Sequence, residues 1–254
     1  MTAHQVAYAQ VNGMEMYYET HGADSGRPLV LLHGGVLTIE SSFGELLPAL
    51  AAGRRVIAVE LQGHGHTADI DREMTVPALA GDVVALLDAL SIGQADLFGF
   101  SLGGMTALET TLRHPERVGR LAVAGAAYRA DGYYDEIRDP ALHATSTRLP
   151  TRADFQQMVD AYNAVAPDPG HFQDFMAKCT VAAGFAGWSP DDLKGLAVPV
   201  LLVFGDTDFV RLEHAAEMHR LIPDSRLAVL PDCTHMEVTH RTELLPMLEG
   251  FLNG

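Results

Sequence analysis

The stretch Ala95-Asp96-Leu97-Phe98-Gly99-Phe100-Ser101-Leu102-Gly103-Gly104 carries an apolar run suited to a buried strand directly into a serine set between glycines. A helical pattern from Leu102 to Arg113 follows at once, with Met105 and Leu112 on the side expected to face a sheet. A strand passing straight into a helix needs a sharp turn, and Gly-x-Ser-x-Gly suits one, because side chains at 99 and 103 would collide across it. Such a turn leaves the Ser101 hydroxyl exposed at the tip of the sheet. It also puts the Leu102 N–H at a helix start, aimed at any negative charge that develops there. The pentapeptide alone is a weak signal, and the strand before it and the helix after it give it meaning.

Outward from this turn, short apolar runs alternate with helical patterns, which predicts an α/β fold: a mostly parallel central sheet with helices on both faces. The runs are Pro28–Leu32, Val56–Leu61, Ala95–Phe98, Leu121–Ala124, Val198–Phe204 and Arg226–Leu230. Before them, Val6–Val11, Asn12-Gly13 and Met14–Glu19 read as a hairpin, since Asn-Gly tolerates the positive φ of a two-residue turn. Phe43, Leu46, Leu47 and Leu50 predict one short helix. Leu79, Val83, Leu86, Leu87 and Leu90 predict a longer one, capped by Thr75 with Pro77 in its first turn. Leu212–Leu221 and Glu243–Leu252 read as two more, the last with a kink at Pro246.

Tyr128–Lys194 is too long for a bare loop. Phe155, Met158, Val159, Tyr162 and Val165 predict a helix capped by Thr151. Phe172, Phe175, Met176 and Cys179 predict another, entered through Asp168-Pro169 and stopped by Gly184. Ser189-Pro190-Asp191-Asp192 opens a short third one. Residues 1–254 are expected to form a single domain, with this insert at about 128–194 as a helical lid.

A serine hydroxyl is a poor nucleophile at neutral pH and needs a base that a carboxylate orients. Both occur downstream at strand ends. Val198–Phe204 runs into Gly205-Asp206-Thr207-Asp208, and the next strand runs into Pro231-Asp232-Cys233-Thr234-His235. Either aspartate also suits a turn cap. The chain order is then Ser, acid, His.

With these residues the chain resembles the α/β-hydrolases of the small, lid-bearing serine esterase and lactonase type, from the first hairpin to the last helix. In that family the acid closes a Gly-x-x-Asp turn, which selects Asp208 over Asp206 and implies a triad of Ser101, Asp208 and His235. His33-Gly34-Gly35 follows the strand Leu29–Leu32 where the family takes its second oxyanion donor, which the resemblance assigns to the Gly35 N–H beside that of Leu102. His33 then anchors its loop. Gln62-Gly63-His64-Gly65-His66 offers two histidines for a metal but no third ligand at a suitable spacing, and the family has a glycine-rich loop here. Glu60 stands where many relatives have aspartate, with no function attached. His214 and His240 are expected to face solvent. Substrate-lining candidates are Val36, Phe100, Tyr162, Trp188, Val210 and Met236. Cys233 reads as a small buried thiol. Arg129, Arg148 and Arg152 suit surface ion pairs, or recognition of a substrate carboxylate.

Composition excludes other classes. With 17 lysines and arginines against 33 acidic residues, the 254-residue chain carries a net charge of −16, which repels nucleic acid and anionic membranes. Two distant cysteines make no disulfide framework, and a cytoplasmic location is the expectation. Met1–Thr20 lacks a signal pattern, and no apolar run approaches the ~20 residues a bilayer needs.

The expected function is hydrolysis of a small or medium carboxylic ester or lactone through an acyl-enzyme, with no metal or organic cofactor. Carbon–carbon bond hydrolysis, perhydrolysis and small-molecule sensing use the same constellation. Val36-Leu37 after Gly35, where perhydrolases often carry proline, argues against perhydrolysis. A serine rather than an aspartate at 101 argues against dehalogenase and epoxide hydrolase chemistry.

Overall fold

The computed structural model describes residues 4–254, so part of the segment searched for a signal lies outside the described residues. Eight strands form one sheet in the order β1-β2-β4-β3-β5-β6-β7-β8. In chain order the elements are β1 (His4–Val11), β2 (Met14–His21), β3 (Leu29–Leu32), α1 (Ile39–Phe43), α2 (Leu47–Gly53), β4 (Val56–Val59), α3 (Val76–Ala89), β5 (Ala95–Phe100), α4 (Leu102–Arg113) and β6 (Val118–Ala124). After β6 come α5 (Asp135–Arg138), α6 (Arg152–Val165), α7 (Phe172–Ala183) and α8 (Pro190–Lys194), and then β7 (Val200–Thr207), α9 (Leu212–Leu221), β8 (Ser225–Thr234) and α10 (Leu244–Asn253).

The β1–β2 hairpin turns at Asn12 (φ 46°) and Gly13 (φ 89°), the positive pair that a two-residue turn requires. β2 pairs antiparallel with β4, and every pairing from β4 through β8 is parallel. Strands β3, β4 and β5 are buried on both faces along their whole length, which explains their continuous apolar sequences, whereas β8 at the edge of the sheet is largely half-buried or exposed. Alternate residues supply two cores. Val30, Leu32 and Leu97 pack with α3, α4 and α9 on one face, while Leu29, Leu31, Phe98 and Phe100 pack with α1, α2 and α10 on the other.

The helix expected across Phe43–Leu50 is broken in two. Pro48 in the first turn of α2 has no N–H for the Gly44 carbonyl, and its ring cannot follow that residue in an unbroken helix. At the other end of the chain α10 begins at Leu244, which puts Pro246 in its first turn, where it causes no kink. Strands β5, β6, β7 and β8 extend past the expected ends because backbone pairing continues beyond the apolar runs, into Gly99 and Phe100 of β5 and into glycine and polar residues of the other three. The caps at Thr75, Thr151 and Ser189 lie where the sequence places them, each accepting an N–H of its helix's first turn. Among the described residues no helix is long and apolar enough to cross a membrane.

The parallel run determines where chemistry can sit, because it brings the carboxyl ends of β5, β7 and β8 to one edge. At that edge α4 crosses β3 so closely that a Cβ on Gly103 would lie 2.0 Å from the Leu32 carbonyl oxygen. Gly81, inside α3, has nothing within 4 Å of the same atom. Gly81→Ala is therefore expected to raise stability by about 0.5–1 kcal/mol through helix propensity. Gly103→Ala should lower it by more than about 3 kcal/mol, because backbone must shift. Urea unfolding of the two variants beside the parent chain measures both.

Candidate active site

Ser101 occupies the turn between β5 and α4 with φ 53° and ψ −115°, a conformation that a non-glycine residue holds only under constraint from its surroundings. Its N–H is tied to the Ala124 carbonyl at the end of β6, at 2.8 Å. Its hydroxyl lies 3.0 Å from His235 Nε2. His235 follows β8, and its Nδ1 lies 2.6 Å from Asp208 Oδ1. Asp208 follows β7, is fully buried, and accepts further N–H groups from Phe209 at 2.6 Å and Gly205 at 3.3 Å. With Nδ1–H donated to the carboxylate, Nε2 is left to accept from Ser101. The three residues therefore form one hydrogen-bonded line drawn from three strand ends.

The two aspartates are separated by this geometry. The Asp206 carboxylate holds the N–H groups of Asp232 and Cys233, at 3.0 and 3.1 Å, and so shapes the approach to His235 without touching the imidazole. Those backbone donors hold Asp206 below the usual carboxylate range.

Gly35 packs against Leu102, with a Cβ at Gly35 falling 3.7 Å from the leucine side chain. Among the described residues neither the Gly35 nor the Leu102 N–H has a protein acceptor. The neighbouring amide is occupied. Val36, at φ 64°, donates its N–H to His64 Nε2 at 3.0 Å, and His64 Nδ1–H donates to the Gln62 carbonyl at 2.9 Å. His33 is tied in the same way, donating from Nδ1 to Gly34 O and accepting the Leu61 N–H at Nε2. His64 is thus a strut under the loop at Gly35, while His66 turns away to buried Glu60, 2.9 Å distant. Glu60 also accepts the N–H groups of His66 and Ile39. Its burial pushes its carboxyl above the usual range.

Of the six lining candidates, Phe100 directly precedes Ser101 in the chain and is buried, while Val36 follows Gly35 and is half-buried. The Phe100 ring lies 4.9 Å from that of His235 and fills the space where a Cβ on Gly34 would sit. Val210 and Met236 flank Asp208 and His235 in sequence, Val210 buried in the core and Met236 half-buried. Tyr162 and Trp188 require correction. Tyr162 stacks on Phe175, which itself meets the edge of His64, and so stands one layer back from the loop. Trp188 donates its Nε1–H to Glu109 at 2.5 Å, eight residues or about 12 Å along α4 from Ser101. Core spacing in the insert does not reveal which aromatic faces the site. Phe209 is the group that the sequence reading missed. It stacks on His235 at 3.8 Å, and its position one residue after the acid is the only sequence signal for it.

Two other expectations change. His214 is buried rather than solvent-facing, because its ring stacks on Tyr128 and fills the space above Gly132. Arg148 is more than a surface ion pair. It donates to the Asp208 carbonyl at 2.8 Å, pairs with Glu136 and lies over the Tyr134 ring. Arg129 is held by Asp131 and Glu217, and Arg152 is exposed. Cys179 and Cys233 are buried free thiols, each pushed up to about 12 by burial, which suits neither as a nucleophile.

Burial lowers the imidazoles of His33 and His214 to about 4 and that of His64 well below its usual value. These three rings are neutral in the folded chain and gain protons on unfolding below about pH 6.5. Their contribution is complete above that pH and is lost as pH falls toward 4, while Glu60, shifted upward, acts in the opposite sense. The urea midpoint should therefore fall between pH 6.5 and 4.5, and less steeply in His214→Gln. His64→Ala leaves the Val36 N–H without an acceptor and should cost about 1–3 kcal/mol at pH 7 in the same measurement.

Comparison with known proteins agrees with this architecture. The sequence model described as alpha/beta hydrolase fold matches residues 27–180. The chain is 40% identical to 2-hydroxymuconate semialdehyde hydrolase of Pseudomonas sp. strain CF600, with 91% of this chain and 89% of the other aligned. It is 29% identical to pimeloyl-[acyl-carrier protein] methyl ester esterase of Neisseria meningitidis, over 91% and 95% of the two chains. Among solved structures it is similar to a serine hydrolase involved in carbazole degradation, with a TM-score of 0.81, 26% identity and 99% of each chain covered. A strand–serine–helix turn at the carboxyl edge of a mostly parallel sheet, matched by that sequence model, makes this chain a member of the alpha/beta hydrolase fold family.

Proposed function

We propose that the chain is a serine hydrolase that opens a carboxylic ester or lactone of modest size through an acyl-enzyme, with Tyr128–Lys194 as the lid over its site. The observation that carries this reading is the line Ser101 Oγ, His235, Asp208, beside the N–H groups of Gly35 and Leu102, which have no acceptor among the described residues. In this mechanism Ser101 Oγ attacks the carbonyl carbon as His235 Nε2 takes its proton. The carbonyl π electrons move onto oxygen, and the Gly35 and Leu102 N–H groups receive that charge. Collapse of the intermediate expels the alkoxide, which takes the proton from His235. Water then attacks the acyl-serine with the same proton transfers, releasing the acid and restoring Ser101. Asp208 holds Nδ1–H in place and stabilises the imidazolium, and stacked Phe209 keeps water from that face of the ring.

The 40% identity to 2-hydroxymuconate semialdehyde hydrolase favours a second reading, cleavage of a carbon–carbon bond next to a ketone in an acidic substrate. A carboxylate in a desolvated pocket calls for a cation to meet it. The arginines nearest this role, Arg129 and Arg148, already have carboxylate partners, which supports the neutral ester or lactone.

Ser101→Ala is expected to abolish both ester turnover and labelling by a serine-directed phosphonate; labelling at the parent level would remove Ser101 from the role of nucleophile. Asp208→Asn should lower kcat by about 10³–10⁴-fold, since it supplies the wrong partner for Nδ1–H. Asp206→Asn should cost less than about tenfold, because it loosens only the backbone leading to His235. A panel of aryl esters, lactones and a 2-hydroxy-6-oxo-dienoate tests the substrate. The highest kcat/KM is expected on an ester or lactone. Preference for the dienoate by more than about tenfold, a margin of about 1.4 kcal/mol, would establish the second reading. One turnover followed by arrest would instead indicate a sensor.

A further inference from the structure

The hairpin β1–β2 brings together three side chains with no part in the Ser101 chemistry. Its two-residue turn sets a register in which His4 lies opposite His21 and Val6 opposite Glu19. Residues two apart on a strand share a face, as do directly opposed residues, so His4, Glu19 and His21 project on the same side. The two imidazoles stack at 4.4 Å with planes 16° apart. His21 Nε2 lies 2.7 Å and His4 Nε2 3.4 Å from the same oxygen, Glu19 Oε2. All three ligand atoms fall within 4.8 Å of one another, and among the described residues no other group of three His, Cys, Asp or Glu does so.

We propose that His4, Glu19 and His21 form a binding site for a divalent transition-metal ion, zinc, on the outer edge of the sheet. Two imidazoles and a carboxylate are a ligand set that zinc takes with water in the fourth position. Bonds of about 2.0–2.2 Å in a tetrahedral arrangement need donor atoms roughly 3.3 Å apart. The His4–Glu19 separation already matches, and the His21–Glu19 pair must open by about half an ångström, within reach of side chains this close to solvent. The side chains are 54%, 19% and 14% exposed for His4, Glu19 and His21, which lets an ion in while Glu19 and His21 stay partly desolvated.

The surroundings suit a ligand set. Tyr17 Oη donates to the other Glu19 oxygen, Oε1, at 2.9 Å, orienting the carboxylate so that Oε2 points at both histidines. Tyr17 is itself fixed by stacking on His66 at 4.2 Å. Among the described residues Glu19 has no lysine or arginine partner, so its charge is left for a cation. The ion would tie edge strand β1 to β2 at the end of the hairpin remote from its turn, where among the described residues β1 has a neighbouring strand on one side only.

The test is calorimetric titration of Zn²⁺ into the untagged, chelator-treated full chain, with Co²⁺ absorption as a second readout. One site with a dissociation constant in the micromolar range is expected, together with tetrahedral Co²⁺ bands. His4→Asn, Glu19→Gln and His21→Asn should each weaken binding at least tenfold and remove those bands, with circular dichroism and ester turnover unchanged. A zinc-dependent rise in Tm should appear in the parent chain and vanish in His21→Asn. No saturable uptake below about 100 µM, or uptake that the three substitutions leave intact, overturns the proposal.

Discussion

Helix α4 passes strand β3 with the Gly103 backbone against the Leu32 carbonyl, and the Gly103 N–H bonds to the His33 carbonyl at 3.0 Å. That contact sets the geometry of the site. It brings the first turn of α4, with Leu102, beside the loop that carries Gly35, and it forces the chain at Ser101 into a positive φ. Any side chain at 103 would push helix and loop apart and separate the two free N–H groups. Hydrogen bonding to Ala124 at the end of the neighbouring strand holds the strained residue in place.

Around this crossing the protein spends polar groups on holding loops still. His33 and His64 are fully buried, and each uses both ring nitrogens on backbone partners. A neutral imidazole with one donor and one acceptor suits two loops that each present a single unmatched group. Burial that keeps those rings neutral also keeps the partnership intact at neutral pH. Phe175 of the insert closes over His64, so packing of the insert and position of the Gly35 loop are mechanically linked. Arg148 makes a second link, from the insert to the backbone of Asp208.

Much of the architecture was legible because it depends on local rules. Apolar runs of strand length, the Asn12-Gly13 turn, the caps at Thr75, Thr151 and Ser189 and the Gly-x-Ser-x-Gly turn are all short-range signals. The misreadings have a common origin. The periodicity across Phe43–Leu50 was real, but Pro48 broke the helix beneath it. His214 was misplaced because a helical pattern names a buried face without naming its neighbour, here Tyr128, and Trp188, which lies between α7 and α8, because nothing near it in the chain points to Glu109 on α4. Phe209 escaped notice since a single aromatic after a turn carries no period.

By itself the sequence determined the fold class, the order of strands and helices along the chain, and the residue types able to do acyl transfer. It also contained the hairpin register that sets His4 opposite His21, since a two-residue turn pairs Val11 with Met14 and every later pair follows. Only the tertiary structure decided which side chains meet: that His235 reaches Asp208 while Asp206 serves the backbone, that His64 takes the Val36 amide and leaves Gly35 free, and that Phe209 covers the imidazole. The physical reason is range. Turns, caps and periodicity act over a few residues, whereas a hydrogen bond between residues 134 apart in the chain depends on how a whole sheet has twisted and packed.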